Sequence, residues 1–207
     1  MTDIDNAFFQ ERLAAAEYFS IDQFAGREEF EKVKSWLLEM GSLTKRFEQA
    51  TASVKIVPHV EHFITVKSDV QHFLEAEASI FWQRDITLYG NDMPWLIART
   101  LVPKKALLDD YHKLVDLGTV PLGRYLFSHP TLQRTQFEIA EISIKINELS
   151  KDLFQKLFRN ESTIHPYQAS HKSIHLWARR SILQINDSKL LLSELFLPIS
   201  PIGFNFY

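Results

Sequence analysis

The chain has 207 residues, 45% of them hydrophobic, with a formal net charge of -3 and no cysteine. That is material for one domain with a real core rather than two. It excludes disulfides and thiolate chemistry, and the scattered basic residues offer no face for nucleic acid.

Met1 to Asn6 is polar and acidic, unlike a secretory leader. Residues 28 to 40 read as a helix, with Phe30, Val33, Trp36 and Leu37 at helical spacing and Gly41 as its stop. Ser42 opens a second, short helix through Glu48. Val54 to Val60 is a short strand candidate that Pro58 either weakens or places at an edge. Phe81 to Leu88 and Pro94 to Val102 form a hairpin around Tyr89-Gly90-Asn91-Asp92, residue types that tolerate the left-handed backbone of tight turns. Lys104 to Val115 looks helical, Gly118 follows it, and Pro121-Leu122-Gly123 marks a turn. Thr131 to Ile139 is a strand candidate. Ile142, Ile146, Leu149, Leu153 and Leu157 suggest a helix through about Phe158, followed by a polar loop to residue 173. A second hairpin runs Leu176 to Ile185, turns at Asn186-Asp187-Ser188, and returns over Leu190 to Leu197. The most apolar stretch, Leu190 to Phe206, is interrupted by Glu194, Pro198 and Pro201, so no membrane insertion is expected.

The two hairpins match without a gap at an offset of 95 residues: Trp82 with Trp177, Arg84 with Arg179, Asn91 with Asn186, Asp92 with Asp187, and Pro103 with Pro198. Chance similarity is cheap for Leu but not for Trp or for a shared turn. The offset points to a duplication and to an α+β fold, a mostly antiparallel sheet built from two related helix-plus-strands halves. A buried ligand site between the halves is then expected.

Two residues stand out chemically. Arg84 lies in an apolar strand. It either faces solvent, the commoner fate of a strand arginine, or grips a carboxylate from a pocket floor. Glu194 sits in Leu190-Leu191-Leu192-Ser193-Glu194-Leu195-Phe196-Leu197. It points outward, pairs across the hairpin with Arg179 or Arg180, or meets a ligand, and strand register decides. The eight His form no zinc motif, and there is no phosphate loop or Gly-x-Ser-x-Gly elbow.

Taken together, Ser42-Leu43-Thr44-Lys45-Arg46-Phe47-Glu48, Phe81-Trp82-Gln83-Arg84-Asp85, Pro94 to Pro103, Pro121-Leu122-Gly123-Arg124-Tyr125-Leu126-Phe127, Leu176-Trp177-Ala178-Arg179-Arg180-Ser181 and Ser193-Glu194-Leu195-Phe196-Leu197-Pro198 resemble the bacterial chorismate lyases in type and order. The resemblance covers most of residues 28 to 201. It implies a monomeric, cytoplasmic enzyme, without metal or organic cofactor, that converts chorismate to 4-hydroxybenzoate and pyruvate. The product would pass to a membrane prenyltransferase of ubiquinone synthesis. By motif, Arg84 holds the ring carboxylate, Glu194 meets the ring hydroxyl, and the backbone at Leu43 and Leu122 completes the product site. Arg179 and Lys45 are candidates for the second carboxylate of chorismate. Residues 1–207 would form a single domain, with a segment at about 141–173 longer than the family's. The rival reading is a non-catalytic, effector-sensing domain of the same fold that binds aromatic acids. Such domains sit behind an N-terminal DNA-binding module, for which residues 1 to 27 are too short.

Overall fold

A computed structural model describes residues 5–66, 68–74, 79–135, 137–158 and 173–202. The elements in order are α1 (Asn6–Ala15), β1 (Phe19–Ser20), α2 (Glu28–Leu37), α3 (Leu43–Ala50), β2 (Val54–Thr65), α4 (Ser68–Phe73), β3 (Ile80–Gly90), β4 (Met93–Pro103), α5 (Lys104–Asp109), α6 (Leu122–Leu126), β5 (Gln133–Arg134), β6 (Glu138–Lys145), α7 (Lys151–Leu157), β7 (Ser173–Ile185) and β8 (Ser188–Phe196). One antiparallel sheet runs β1-β6-β7-β8-β4-β3-β2, with β5 beside β7.

Both hairpins form as the turn residues demand. Asn91 and Asp92 adopt positive φ of 47° and 63°, and Asn186 one of 50°. Side chains of this type tolerate that region, and its twist matches the strands. The halves meet at the β4–β8 seam, where Ala98 pairs with Glu194 and Arg99 with Ser193. Shifting either pair by 95 residues turns it into the other, so a pseudo-twofold axis passes through the seam. Trp82 and Trp177 hold matching places, each on the strand one step out from it. The halves differ by a bulge. Leu88 pairs with Leu96 and Tyr89 with Pro94, which leaves Trp95 as the extra residue. Its indole lies over Gly90, where an added Cβ would come within 2.3 Å of the ring. Pro58 falls on edge strand β2, beside a register shift, where a missing N–H is tolerated.

Strand alternation separates two faces. On one, α2, α3, α5 and α6 cover Ile56, Leu88, Leu96, Ala98, Leu192 and Phe196. On the other, α1 and α7 pack over Ile97, Ala140, Ile142, Leu176 and Leu195.

Several sequence expectations need correction. Ile142 belongs to strand β6, where burial alternates through Ile142, Ser143, Ile144 and Lys145. Ile142 also fits the helical stripe, but its period of two is that of a strand, and the helix itself starts only at Lys151, capped by Ser150. Residues 104–115 do not form one helix: α5 ends at Asp109, and a 3-10 turn covers His112–Asp116. Pro121-Leu122-Gly123 starts helix α6 rather than a bare turn, with Pro121 as its cap position. The strand expected over 131–139 is split between β5 and β6. Strand β2 continues to Thr65. Of the polar loop expected at 159–173, residues 159–172 lie outside the described residues, and Ser173 opens strand β7.

Candidate active site

Register resolves the alternatives for the charged strand residues. The two-residue turn of the second hairpin puts Arg179 opposite Glu194 and Arg180 opposite Ser193. Arg179 and Glu194 therefore point to the face covered by α2, α3, α5 and α6. Arg180 points to the other face, where its Nε donates to Glu138 at 2.6 Å. On β3 the same alternation turns Arg84 inward, 3% exposed.

Arg84 and Glu194 line one cavity between the sheet and its helical cover. Its walls are Ile56, Ile86, Leu88, Leu96, Ala98 and Leu192 from the sheet, and Gly41, Leu43, Thr44, Leu122, Gly123 and Phe127 from the cover. Thr100 and Arg134 complete the lining. Arg84 and Glu194 stand two strands apart and one two-residue step along, about 12 Å between Cα atoms by ordinary sheet geometry.

Each end is pre-organised. Arg84 Nε donates to Glu61 Oε1 at 2.8 Å, from the residue directly across on β2. Its Nη2 donates to the Gly118 carbonyl at 2.5 Å and lies 3.4 Å from that of Val120. Gly118 has φ +50°, which glycine adopts without strain. Glu194, 5% exposed, accepts from Arg179 Nε at Oε2, 2.7 Å away. Arg179 is wholly enclosed. Its Nη1 donates to the carbonyls of Leu37 and Glu39 at 2.9 and 3.0 Å, at the C-terminal end of α2. A second guanidinium, Arg134 Nη2, lies 3.8 Å from the same Glu194 oxygen. Burial lowers the Arg134 pKa to about 10, which still leaves it charged at neutral pH.

Leu43 and Leu122 are the first residues of α3 and α6. Their N–H groups have no preceding turn to bond to, and both residues line the cavity. The two helix starts touch: a Cβ on Gly123 would fall 2.4 Å from Ser42 Oγ, the atom that caps α3. Arg124 and Glu48 join the same two helices at 2.6 Å. Lys45 is exposed on α3 and does not line the cavity; neither does Arg179, whose place is behind Glu194.

Sequence reasoning missed Arg134 and Thr100. Arg134 sits in the polar run Thr131-Leu132-Gln133-Arg134-Thr135, on a strand of only two residues, where no periodicity marks an inward side chain. Thr100 was legible only through strand parity, as an inward neighbour of Ala98.

Residues 27–204 match the family model described as chorismate lyase. Among curated relatives, the chorismate pyruvate-lyase of Photorhabdus laumondii is 39% identical over 175 residues, 83% of this chain and 84% of that protein. The chorismate pyruvate-lyase of Proteus mirabilis is 40% identical over 174 residues, again 83% and 84%. Among solved structures, the effector domain of PhnF from Mycobacterium smegmatis superposes with a TM-score of 0.52 at 15% identity, over 77% of this chain and 90% of that one. That likeness is one of fold.

Proposed function

The chain belongs to the chorismate lyase family, and on that premise we propose that it cleaves chorismate to 4-hydroxybenzoate and pyruvate in the cavity between Arg84 and Glu194. The observation that carries the reading is the cavity itself. A guanidinium stands at one end, a carboxylate at the other, and aliphatic walls lie between, matching a ring with a carboxylate and a hydroxyl at opposite positions.

In the reaction the ether C–O bond breaks and the hydrogen on the hydroxyl-bearing carbon leaves. The ring becomes aromatic, and the enolpyruvyl fragment takes up one hydrogen to become pyruvate. Aromatisation supplies the driving force, so the protein's task is to orient the ether and exclude water. Arg84 binds the ring carboxylate through Nη1, since Nε and Nη2 are held by Glu61 and by the Gly118 and Val120 carbonyls. Glu194 accepts from the ring hydroxyl through Oε1, because Oε2 faces Arg179 and Arg134. The Leu43 and Leu122 N–H groups complete the polar frame. We place the enzyme in the cytoplasm as a monomer, supplying the aromatic acid for ubiquinone synthesis to a membrane prenyltransferase. The segment around 141–173 contributes the end of β6 and helix α7 to the opposite face of the sheet, and the reaction does not use it.

The test is direct. Purified protein is incubated with chorismate, and 4-hydroxybenzoate formation is followed by absorbance, with pyruvate measured in an enzyme-coupled assay. Equal amounts of the two products are expected. Tight binding of 4-hydroxybenzoate without turnover of chorismate would assign the chain to sensing instead.

A further inference from the structure

Chorismate carries two carboxylates, and the residues named so far hold only one. Its ether stands on the ring carbon next to the hydroxyl-bearing carbon. With the ring carboxylate on Arg84, the enolpyruvyl carboxylate falls at the Glu194 end. We infer that Arg134 is a further substrate-binding residue that receives the enolpyruvyl carboxylate on its Nη2; the inference rests on the chorismate reading above.

The guanidinium is fixed on every side but one. Nε donates to Ser181 Oγ at 3.0 Å. Nη1 faces the carbonyls of Glu39, Met40 and Gly41 at 3.4, 3.3 and 3.2 Å. Its face lies 4.8 Å from the Phe137 ring centroid. Nη2 makes no hydrogen bond among the described residues and lies 3.8 Å from Glu194 Oε2. The side chain is 4% exposed, so an unmet donor there faces the cavity rather than bulk water. A fixed guanidinium with a spare edge in a dry site suits a charge-assisted bond to a carboxylate.

The other cations fail on geometry. Arg84 stands at the far end. Lys45 is exposed on the outer side of α3. Arg179 is 0% exposed, bonded through Nε and Nη1 to Glu194 and to α2 carbonyls, and stacked 4.3 Å from Phe137; its Nη2 has no partner among the described residues but is fully buried, and the residue does not line the cavity. Charge agrees. At the Glu194 end two guanidiniums flank one carboxylate, so a second carboxylate meets an unbalanced positive charge.

The experiment compares wild-type chain with Arg134→Gln and Arg134→Lys. It uses chorismate turnover and calorimetric binding of two probes, 4-hydroxybenzoate and 3-(carboxymethoxy)-4-hydroxybenzoate, which adds an ether carboxylate beside the hydroxyl. Arg134→Gln should lower kcat/KM for chorismate about 100-fold, chiefly through KM, and weaken the carboxymethoxy probe by a similar factor. Affinity for 4-hydroxybenzoate should stay within about three-fold, because that ligand has no second carboxylate. Arg134→Lys keeps the charge and serves as the second variant if Gln does not fold; it should show a smaller loss confined to the same two ligands. Equal loss of 4-hydroxybenzoate affinity in a folded variant would reduce Arg134 to a support for the 39–41 loop. Unchanged chorismate kinetics would overturn the inference alone. A wild-type chain that neither turns over chorismate nor binds 4-hydroxybenzoate would overturn the chorismate reading and this inference together.

Discussion

Arg84 is held before any ligand arrives: Glu61 fixes Nε, and the carbonyls of Gly118 and Val120 fix Nη2. Among the described residues Nη1 has no partner, so it remains for a carboxylate. A single charge-assisted bond, rather than a two-pronged clamp, is the contact this geometry offers. Removing one partner of a desolvated charge pair costs roughly 2–5 kcal/mol. Arg84→Ala should therefore lower kcat/KM for chorismate by about two to three orders of magnitude. Affinity for 4-hydroxybenzoate should fall in parallel, since the ring carboxylate survives in the product. Arg84→Lys should recover little, because an ammonium cannot reach Glu61, the two carbonyls and the ligand at once. Near-wild-type turnover in Arg84→Ala would show that the ring carboxylate binds elsewhere. The inward turn of Arg84 and Glu194 was not legible from composition, because a strand residue's face depends on register. Once the Asn186-Asp187 turn is given two residues, the pairing of Glu194 with Arg179 follows by counting. Arg134 could not be found that way. Its strand is two residues long, and its inward direction is set by Ser181 and the 39–41 carbonyls, contacts far away in sequence.

The elements over the site matter chiefly through one close approach. Helices α3 and α6 begin against each other, and Gly123 lets the α6 backbone come so near Ser42 that a Cβ there would lie 2.4 Å from Oγ and 3.2 Å from Cβ. Gly123 has no positive φ, so the requirement is for space rather than for backbone freedom. In Gly123→Ala the two helix starts must separate, and with them the Leu43 and Leu122 N–H groups. The expected result is faster release and weaker binding of 4-hydroxybenzoate by about ten-fold, with an overpacking cost on the order of 1–3 kcal/mol. Adding Ser42→Gly removes the obstructing atoms, and glycine at a helix cap costs only a few tenths of a kcal/mol against serine. The double variant should regain most of the affinity. Release rates from stopped-flow fluorescence and the midpoint of thermal unfolding would check this. A double variant no better than Gly123→Ala would mean that the defect lies outside this contact. Helices α2 and α3 and both hairpins were legible because apolar spacing, the Ser42 cap and the Asn-Asp turns agree at each of them. The break in 104–115 was not, because Leu107, Tyr111 and Leu114 keep a helix-like spacing through it and all three are buried. Likewise Ile142 satisfied two periods at once, and only its pairing with Leu176 decides for the strand.

Across the whole molecule, the pseudo-twofold seam determines how stability is shared. Strands β4 and β8 sit at the centre of the sheet, each hydrogen-bonded to a strand of its own half and to the other. Neither half can separate without exposing both the seam and the main core, which draws on Leu88, Leu96 and Val102 from one half and Leu183, Leu190 and Phe196 from the other. The proposed ligand site also spans the seam, taking Arg84 from one hairpin and Glu194 from the other. We therefore predict that the chain unfolds as one cooperative unit, despite its duplicated plan. Trp36, Trp82, Trp95 and Trp177 are spread over both halves, so fluorescence reports on each while far-UV circular dichroism reports on the sheet. In urea the two signals should trace one coincident transition. With 4-hydroxybenzoate held at one hundred times its dissociation constant, the whole transition should move by about 2.7 kcal/mol without broadening, because ligand binds only the intact seam. The Arg84→Ala variant should show little of that shift at the same ligand concentration. Two separated transitions, or a ligand shift seen by only one signal, would mean that the halves are independent units. The duplication would then be a matter of sequence history rather than of present-day energetics.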